Sequence, residues 1–249
     1  MTGGHRSFRE STRFYDAMVG FNAFEHVREN FERLCFIHSL GFDSCADIAC
    51  GTGLFVEYIC SKAATVFGVD VSPEMLEAAR ARNAGNQAVF LQQDFTALEL
   101  PEKVDLVSCN FDSLNYLLES DELQEALTRF ARCLTQGGHA VFDMNTPWQL
   151  EELADPEPWV HEVPGGYSIW ETLWDAEHKV QCLHMINLLE EQPGLYRKSE
   201  EHHRERGYSR EAVESMLDTA GFSWWRVYDA AGLGFPGPQT RRLQFIAGV

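Results

Sequence analysis

The sequence has no Cys-x-x-Cys pair and little positive charge, and no apolar run approaches the ~18 residues of a membrane-spanning helix. Its cysteines (Cys35, Cys45, Cys50, Cys60, Cys109, Cys133 and Cys182) are odd in number. Their spacings do not suit zinc, and several sit in apolar segments where a thiol packs as a small hydrophobe. They are read as reduced cysteines of a cytoplasmic protein. The opening stretch MTGGHRSFRESTRF lacks the apolar middle of a secretory signal, so export is not expected. Twenty basic residues against thirty-eight acidic ones give a formal charge of −18. Nucleic-acid binding rests on neutralising phosphates, so this balance argues against it. A small or cationic substrate suits the charge better, although net charge speaks mainly to solubility and encounter.

What is present is an ordinary globular composition, 45% hydrophobic over 249 residues, enough for one sizeable core with an elaboration. Residues 1–40 read as helical: Phe21, Phe24, Val27, Phe31, Leu34 and Cys35 form one stripe, and Gly41 suits the stop. From 41 to 147, short apolar runs (Cys45–Cys50, Thr65–Val69, Ala88–Gln92, Val104–Cys109, His139–Met144) alternate with helical stretches. The helices are expected at Leu54–Ala63, Pro73–Arg82 and Asp121–Leu134, the last stopped by Gly137-Gly138. Ser72 before Pro73 is a helix-start pattern. This rhythm predicts an α/β fold: a doubly wound, mostly parallel sheet covered by helices on both faces. Residues 148–208 lack long helices and carry strand-like Tyr167–Trp174, Val180–Leu189 and Tyr196–Arg206 between turn signals, which predicts an antiparallel insert. Residues 209–249 supply a last helix, Arg210–Ala220, and two strands that complete the main sheet.

The stretch DIACGTGLF (47–55) leaves an apolar strand through Gly51 and Gly53 and enters a helix at once. Such a turn permits close backbone approach, and in a doubly wound sheet ligands bind at the carboxyl ends of the strands. Asp70 ends the next strand about twenty residues on, where an acid can hold ribose hydroxyls. Asp94, followed by Phe95, ends the third strand and offers a carboxylate and a ring to an adenine. An adenosine derivative is therefore expected. A dinucleotide turn wants a third glycine where Val56 stands, and no Lys or Arg in the turn balances a pyrophosphate. This weighs against a nicotinamide-dependent oxidoreductase, which stays open as the alternative enzyme.

DIACGTGLF, GVDVSPEML, QQDFTAL and FDSLNYLL resemble the successive motifs of class I S-adenosylmethionine-dependent methyltransferases. HHRERGYSREAVESMLDTAGF is similar to the end of a subgroup with an antiparallel insert, which includes small-molecule and sugar-amine N-methyltransferases. The resemblance implies a Rossmann-like seven-stranded sheet and S-adenosyl-L-methionine as cofactor. Ala49, Gly51 and Gly53 would line its methionine part, with Asp47 supporting the turn. Asp70 would hold the ribose, and Val71 and Met75 would pack near the adenine. Asp94 would accept from the adenine amino group beside Phe95, Asn110 would sit near the sulfonium, and Tyr15 would belong to an N-terminal helical lid.

Acceptor-side candidates are Asp112, Asn115, Tyr116, Asp143, Asn145 and Trp148, with capping and turn formation as the structural alternative. Asp112, Asp143 and Asn145 could also form an oxygen-rich metal site, a less favoured reading; no metal is expected. The insert adds His161, Trp170, Trp174, His184, His202 and His203, together with Arg206 and Tyr208. Strand alternation allows at most one of His202 and His203 to point inward. No catalytic residue is assigned. The expected reaction is methyl transfer to an amine or hydroxyl of a small molecule, with a non-catalytic adenosyl-ligand sensor as the other alternative.

Overall fold

The computed structural model describes residues 11–19 and 21–249. Residues 1–10, Gly20 and the side chains of Arg13, Met18, Val19, Phe21 and Asn22, all part of the expected helical N-terminus, lie outside the described residues. The elements run α1 (Tyr15–Val19), α2 (Phe21–His38), β1 (Ser44–Ile48), α3 (Leu54–Ile59), β2 (Thr65–Asp70), α4 (Pro73–Arg82) and β3 (Val89–Gln92). They continue with β4 (Val104–Cys109), α5 (Ser120–Cys133), β5 (Leu134–Asn145), α6 (Pro147–Glu152), β6 (Trp159–Val163), β7 (Gly166–Asp175), β8 (Val180–Gln192) and β9 (Leu195–Arg206). Helix α7 (Arg210–Ala220) and strands β10 (Trp224–Asp229) and β11 (Arg242–Gly248) close the chain.

Seven strands form the main sheet in the order β3-β2-β1-β4-β5-β11-β10, and β11 runs antiparallel to both its neighbours. Strand alternation gives it two cores: Ala46 faces the layer of Leu127, Phe130 and Leu217, while Cys45 faces that of Phe31, Phe55 and Ile59. Strand β1 lies between β2 and β4, which puts the glycine turn at the topological switch point. Strands β6 to β9 form a separate antiparallel sheet, as the turn signals predict. No described helix is long and apolar enough to cross a membrane.

Local details depart from the sequence reading. The α2 stripe is seated as expected, with Val27, Phe31 and Leu34 buried. The helix stops at Ser39 (φ 52°) instead of Gly41, because Leu40 N–H donates to Cys35 O at 2.9 Å across a left-handed residue. Helix α3 ends at Ile59, short of Ala63. Gly137-Gly138 does not stop α5; it lies in β5, where the pairing jumps from Val104↔Leu134 to Leu106↔His139 and the intervening residues bulge out. Helix α6, begun by Thr146 accepting from Gln149 N–H, and the exposed edge strand β6 were not foreseen.

Candidate active site

Three turns at the carboxyl ends of β1, β2 and β3 meet in one cleft. Leaving β1, the chain passes through left-handed backbone at Ala49 (φ 56°), Gly51 (φ 53°) and Gly53 (φ 77°). The cleft is lined by Tyr15, Ala49, Gly51, Asp70, Val71, Met75, Asp94 and Phe95, so eight of the expected cofactor residues do converge. Ser72, Gln93, Ser113 and Tyr116, for which no cofactor role was expected, line it too. Asp70 ties the rim together: Gly51 N–H donates to Oδ2 at 2.9 Å and Ser72 N–H to Oδ1 at 2.8 Å. Burial raises its carboxyl, and the backbone amides of Ser72 and Gly51 oppose that rise. Asp94 Oδ1 accepts from both Thr96 N–H (2.9 Å) and Thr96 Oγ1 (2.7 Å), which leaves Oδ2 for another donor.

Two expected cofactor residues stand elsewhere. Gly53 faces α4: a Cβ there would lie 2.7 Å from Asn83 Nδ2 and 3.0 Å from Ala79 Cβ. Its lack of a side chain serves helix packing. Asn110 is buried behind the cleft wall, close enough to Asp47 to favour the ionised carboxylate, yet its Nδ2 meets hydrogen-bond geometry with no neighbour. Asp47 itself accepts from Ser108 Oγ at 2.8 Å, and burial pushes its carboxyl up to about 7.

Helix α1 lies across the cleft. Tyr15 Cε1 is 3.7 Å from where a Gly51 Cβ would stand. Thr52 Oγ1 donates to Asp16 Oδ1 at 2.6 Å, and Arg82 pairs with the other oxygen, so the helix is fastened to the glycine turn. Burial raises the Tyr15 phenol, and Asp112 and Asp70 add to the rise.

Past Tyr15, Ser113 and Tyr116 a second cavity of about 520 Å³ opens under the insert. Its polar side holds Asp112, Asp143, Asn145, Glu205 and Arg242. Phe111 (φ 58°) and Asp112 (φ 51°) are consecutive left-handed residues, and such strain persists only where the surroundings fix it. Asp112 N–H donates to Asp143 Oδ1 at 2.7 Å. Arg242 forks between the two acids, 2.9 Å from Asp112 Oδ2 and 3.1 Å from Asp143 Oδ2, while Asn145 also donates to Asp112. A guanidinium thus stands where the oxygen-rich metal reading of Asp112, Asp143 and Asn145 needed a cation. Burial, reinforced by Asp112, pushes the Glu205 carboxyl up to about 8. Trp159, Trp170, Leu183 and Met185 give the cavity its apolar wall.

The remaining candidates sort by what they touch. His203 points inward and His202 outward, as alternation requires; His203 Nδ1 is 3.2 Å from Tyr116 Oη and Nε2 is 3.3 Å from Glu201. Glu201 in turn accepts from Ser11 N–H (3.0 Å) and Oγ (2.8 Å), joining the N-terminal segment to the insert. Asn115 is fully buried and braces backbone, donating to Asn145 O (3.0 Å) and Arg206 O (2.8 Å) while accepting from Asn145 N–H (2.9 Å). Arg206 and Tyr208 donate to the carbonyls of Leu118 and Leu117. Trp148 lies under Arg241, and His161 packs on Trp170. Neither lines the cavity, nor do Trp174, His184 and His202. Sequence reasoning missed Glu205 and Arg242. The first was legible, since Glu201, His203 and Glu205 share one face of β9 at a period of two.

Residues 45–138 match the family model described as a methyltransferase domain. YqeM of Bacillus subtilis, a predicted methyltransferase, is 28% identical over 81% of this chain and 82% of its own length. The dTDP-3-amino-3,6-dideoxy-alpha-D-glucopyranose N,N-dimethyltransferase of Streptomyces fradiae is 31% identical over 59% of this chain and 56% of its own. Among solved structures, an S-adenosylmethionine-dependent methyltransferase from Clostridium acetobutylicum superimposes with a TM-score of 0.83 at 24% identity, covering 96% of each chain.

Proposed function

We propose that this chain, a class I S-adenosylmethionine-dependent methyltransferase, places the methyl group on an amine carried by a small molecule with an apolar or aromatic body. The observation that carries the proposal is the charge of the second cavity: Asp112, Asp143 and Glu205 face one guanidinium, that of Arg242. Asp112 and Asp143 outnumber the one guanidinium, and Glu205 adds negative charge as it ionises toward about 8, so the cavity favours a cationic guest, and an ammonium answers that need where a neutral alcohol does not. The name of the Streptomyces fradiae relative places its methyl groups on a sugar amine, which agrees with this reading.

The cleft suits the cofactor by its own chemistry. Asp70 stands in the position of a ribose acceptor, Asp94 Oδ2 is open to an amino group, and the left-handed turn at Gly51 leaves a cradle that a side chain would enter. Ala49 and Gly51 are assigned to the methionine part, Val71, Met75 and Phe95 to the adenine, and Tyr15 to a lid over both. Gly53 and Asn110 support the turn and the cleft wall from behind. Bound S-adenosylmethionine supplies a methyl group already activated by its sulfonium. The protein's task is to hold the acceptor nitrogen in line and to manage one proton. Alignment alone supplies several kcal/mol, on the order of 7 or more when it is good.

Glu205 is assigned the proton. An acceptor entering as R–NH3⁺ is not a nucleophile; its proton passes to the Glu205 carboxylate, and the freed lone pair forms the new N–C bond as the methyl–sulfur bond breaks. A carboxyl held near 8 is poised for this exchange near neutral pH. The apolar wall of Trp159, Trp170 and Met185 takes the body of the acceptor, and the antiparallel sheet roofs it.

Radiolabelled methyl transfer tests the proposal on matched amine and alcohol pairs with aromatic or aliphatic bodies. Labelled amines are expected. Label on alcohols with matched amines unmodified overturns the assignment.

A further inference from the structure

The outer face of the insert, turned away from the acceptor cavity, carries a second cluster. Glu171 of β7, His184 of β8 and His202 of β9 are direct cross-strand neighbours, forming one row over three strands. Glu200 stands two residues before His202 on the same face. The two imidazoles stack at 4.4 Å between centroids and 8° between planes. His184 Nδ1 is 2.9 Å from Glu171 Oε2, and its Nε2 is 2.9 Å from Glu200 Oε2. One ligand atom each from His184, Glu200 and His202 lies within 4.8 Å of the other two.

We propose that His184, His202 and Glu200 form a binding site for a divalent transition-metal ion of the zinc type, with Glu171 holding the Nδ1 side of the His184 ring. Two imidazoles and a carboxylate, with water in the fourth position, are a donor set for such an ion, and the nitrogens discriminate against magnesium and calcium. Ligands about 2.0–2.1 Å from a tetrahedral ion stand roughly 3.3 Å apart. Side-chain rotations of about 1 Å therefore close the observed cluster onto a metal, and the partial exposure of the three ligands permits them. The imidazole of His184 already bridges the two carboxylates; an ion replaces its Nε2 contact with Glu200 and adds His202, while Glu171 stays on Nδ1 and orients the ring. Lys198 pairs with the cluster, 2.5 Å from Glu200 Oε1, and a metal has to outcompete it. The ion ties β8 to β9, and Glu171 on the other ring nitrogen of His184 extends the link to β7; these strands roof the acceptor cavity, so the ion's effect is on the rigidity of the roof and not on the methyl-transfer chemistry.

The test is calorimetric titration of the chelator-stripped full chain with zinc chloride, alongside magnesium chloride and thermal melts with and without zinc. One equivalent of zinc bound saturably, no magnesium uptake and a zinc-dependent rise in Tm are expected. His184→Ala with His202→Ala should weaken that equivalent more than about 100-fold, since the loss of even an outer-shell partner costs up to that factor. Glu200→Gln, which keeps the size of the side chain, should weaken it by a smaller factor. His178→Ala, at an exposed histidine paired with Asp175, should leave binding unchanged. S-adenosylhomocysteine affinity equal to that of the parent confirms that each variant is folded. Absence of a saturable zinc equivalent in the parent, or equal zinc binding by the folded double variant, overturns the proposal.

Discussion

Replacing Gly53 by alanine separates packing from ligand contact in a turn where the two are easily confused. The new Cβ stands 2.7 Å from Asn83 Nδ2, 3.0 Å from Ala79 Cβ and 3.2 Å from Ala79 Cα, and the last two atoms belong to a helix that cannot swing away. Asn83 is buried and donates to Gly53 O (3.2 Å) and Ala79 O (3.0 Å), so pushing it aside disturbs the end of α4 as well. The left-handed backbone costs a non-glycine residue about 1–2 kcal/mol. Overpacking adds roughly 1–3 kcal/mol, and a disturbed hydrogen bond about 1 kcal/mol. Some relaxation is shared among these effects, so the expected loss is about 2–5 kcal/mol. Urea unfolding measures it as a fall in midpoint with an unchanged slope. Gly51→Ala is the contrast: its φ is 53°, but the nearest neighbour, Tyr15 Cε1, is 3.7 Å away. Only the backbone cost, about 1–2 kcal/mol, should appear in its stability, while its Cβ enters the cleft and weakens S-adenosylhomocysteine binding. A Gly53→Ala loss below about 1 kcal/mol, or a ranking of the two variants reversed in both assays, would refute the division of labour between these glycines.

Other perturbations read other parts of the site. Asp70→Ala should weaken S-adenosylhomocysteine binding by about 1–3 kcal/mol, the scale of hydrogen bonds to a charged group; calorimetry giving an unchanged Kd in the folded variant removes Asp70 from the site. With the Glu205 carboxyl held up to about 8, the base is protonated below that value, so kcat/KM should climb with pH toward it. Glu205→Gln should abolish that limb and lower the rate about 100-fold, and a variant with the parental rate and profile excludes Glu205 as the base. The same shift bears on stability. A carboxyl whose folded value exceeds its unfolded one stabilises the fold fully below the unfolded value, and loses that contribution as pH rises toward about 8. Glu205→Gln should therefore flatten the decline in urea stability across this window, and an identical slope contradicts the shift. Asn115→Ala strips partners from one buried carbonyl, one half-buried carbonyl and one buried amide, and should cost about 2–4 kcal/mol in unfolding experiments; a loss under about 1 kcal/mol contradicts its bracing role.

The sheet was legible because buried parallel strands are continuous apolar runs, and Cys45–Cys50 or Val104–Cys109 can hardly be read otherwise. The cleft was legible because its residues sit at strand ends, positions that the alternation itself predicts: Asp70 and Asp94 fall at one rim once β1, β2 and β3 are parallel neighbours. Gly51 and Gly53 look the same in a sequence, where a glycine needed for helix packing and one needed for ligand approach cannot be told apart; only the neighbours, here Ala79 and Asn83, distinguish them. Asn115 makes the contacts of the structural alternative it was given beside an acceptor role. Its amide looks available in the stretch FDSLNYLL until β5 and β9 bring the Asn145 and Arg206 backbones against it. The second cavity was hardest to foresee, since Glu205 and Arg242 lie far from Asp112 in sequence and meet only when the insert folds back over β5 and β11. Edge strand β6 is short and largely exposed, and carries no periodic apolar signal to find.

The most direct measurement is a crystal structure of the full chain with S-adenosylhomocysteine. The ribose is expected at Asp70, the adenine between Asp94 and Phe95, and the sulfur at the passage framed by Tyr15, Ser113 and Tyr116, facing Glu205. A ligand seated elsewhere, or one that leaves Gly51, Asp70 and Asp94 untouched, would contradict the cleft as the cofactor site and remove the basis for the acceptor cavity beside it.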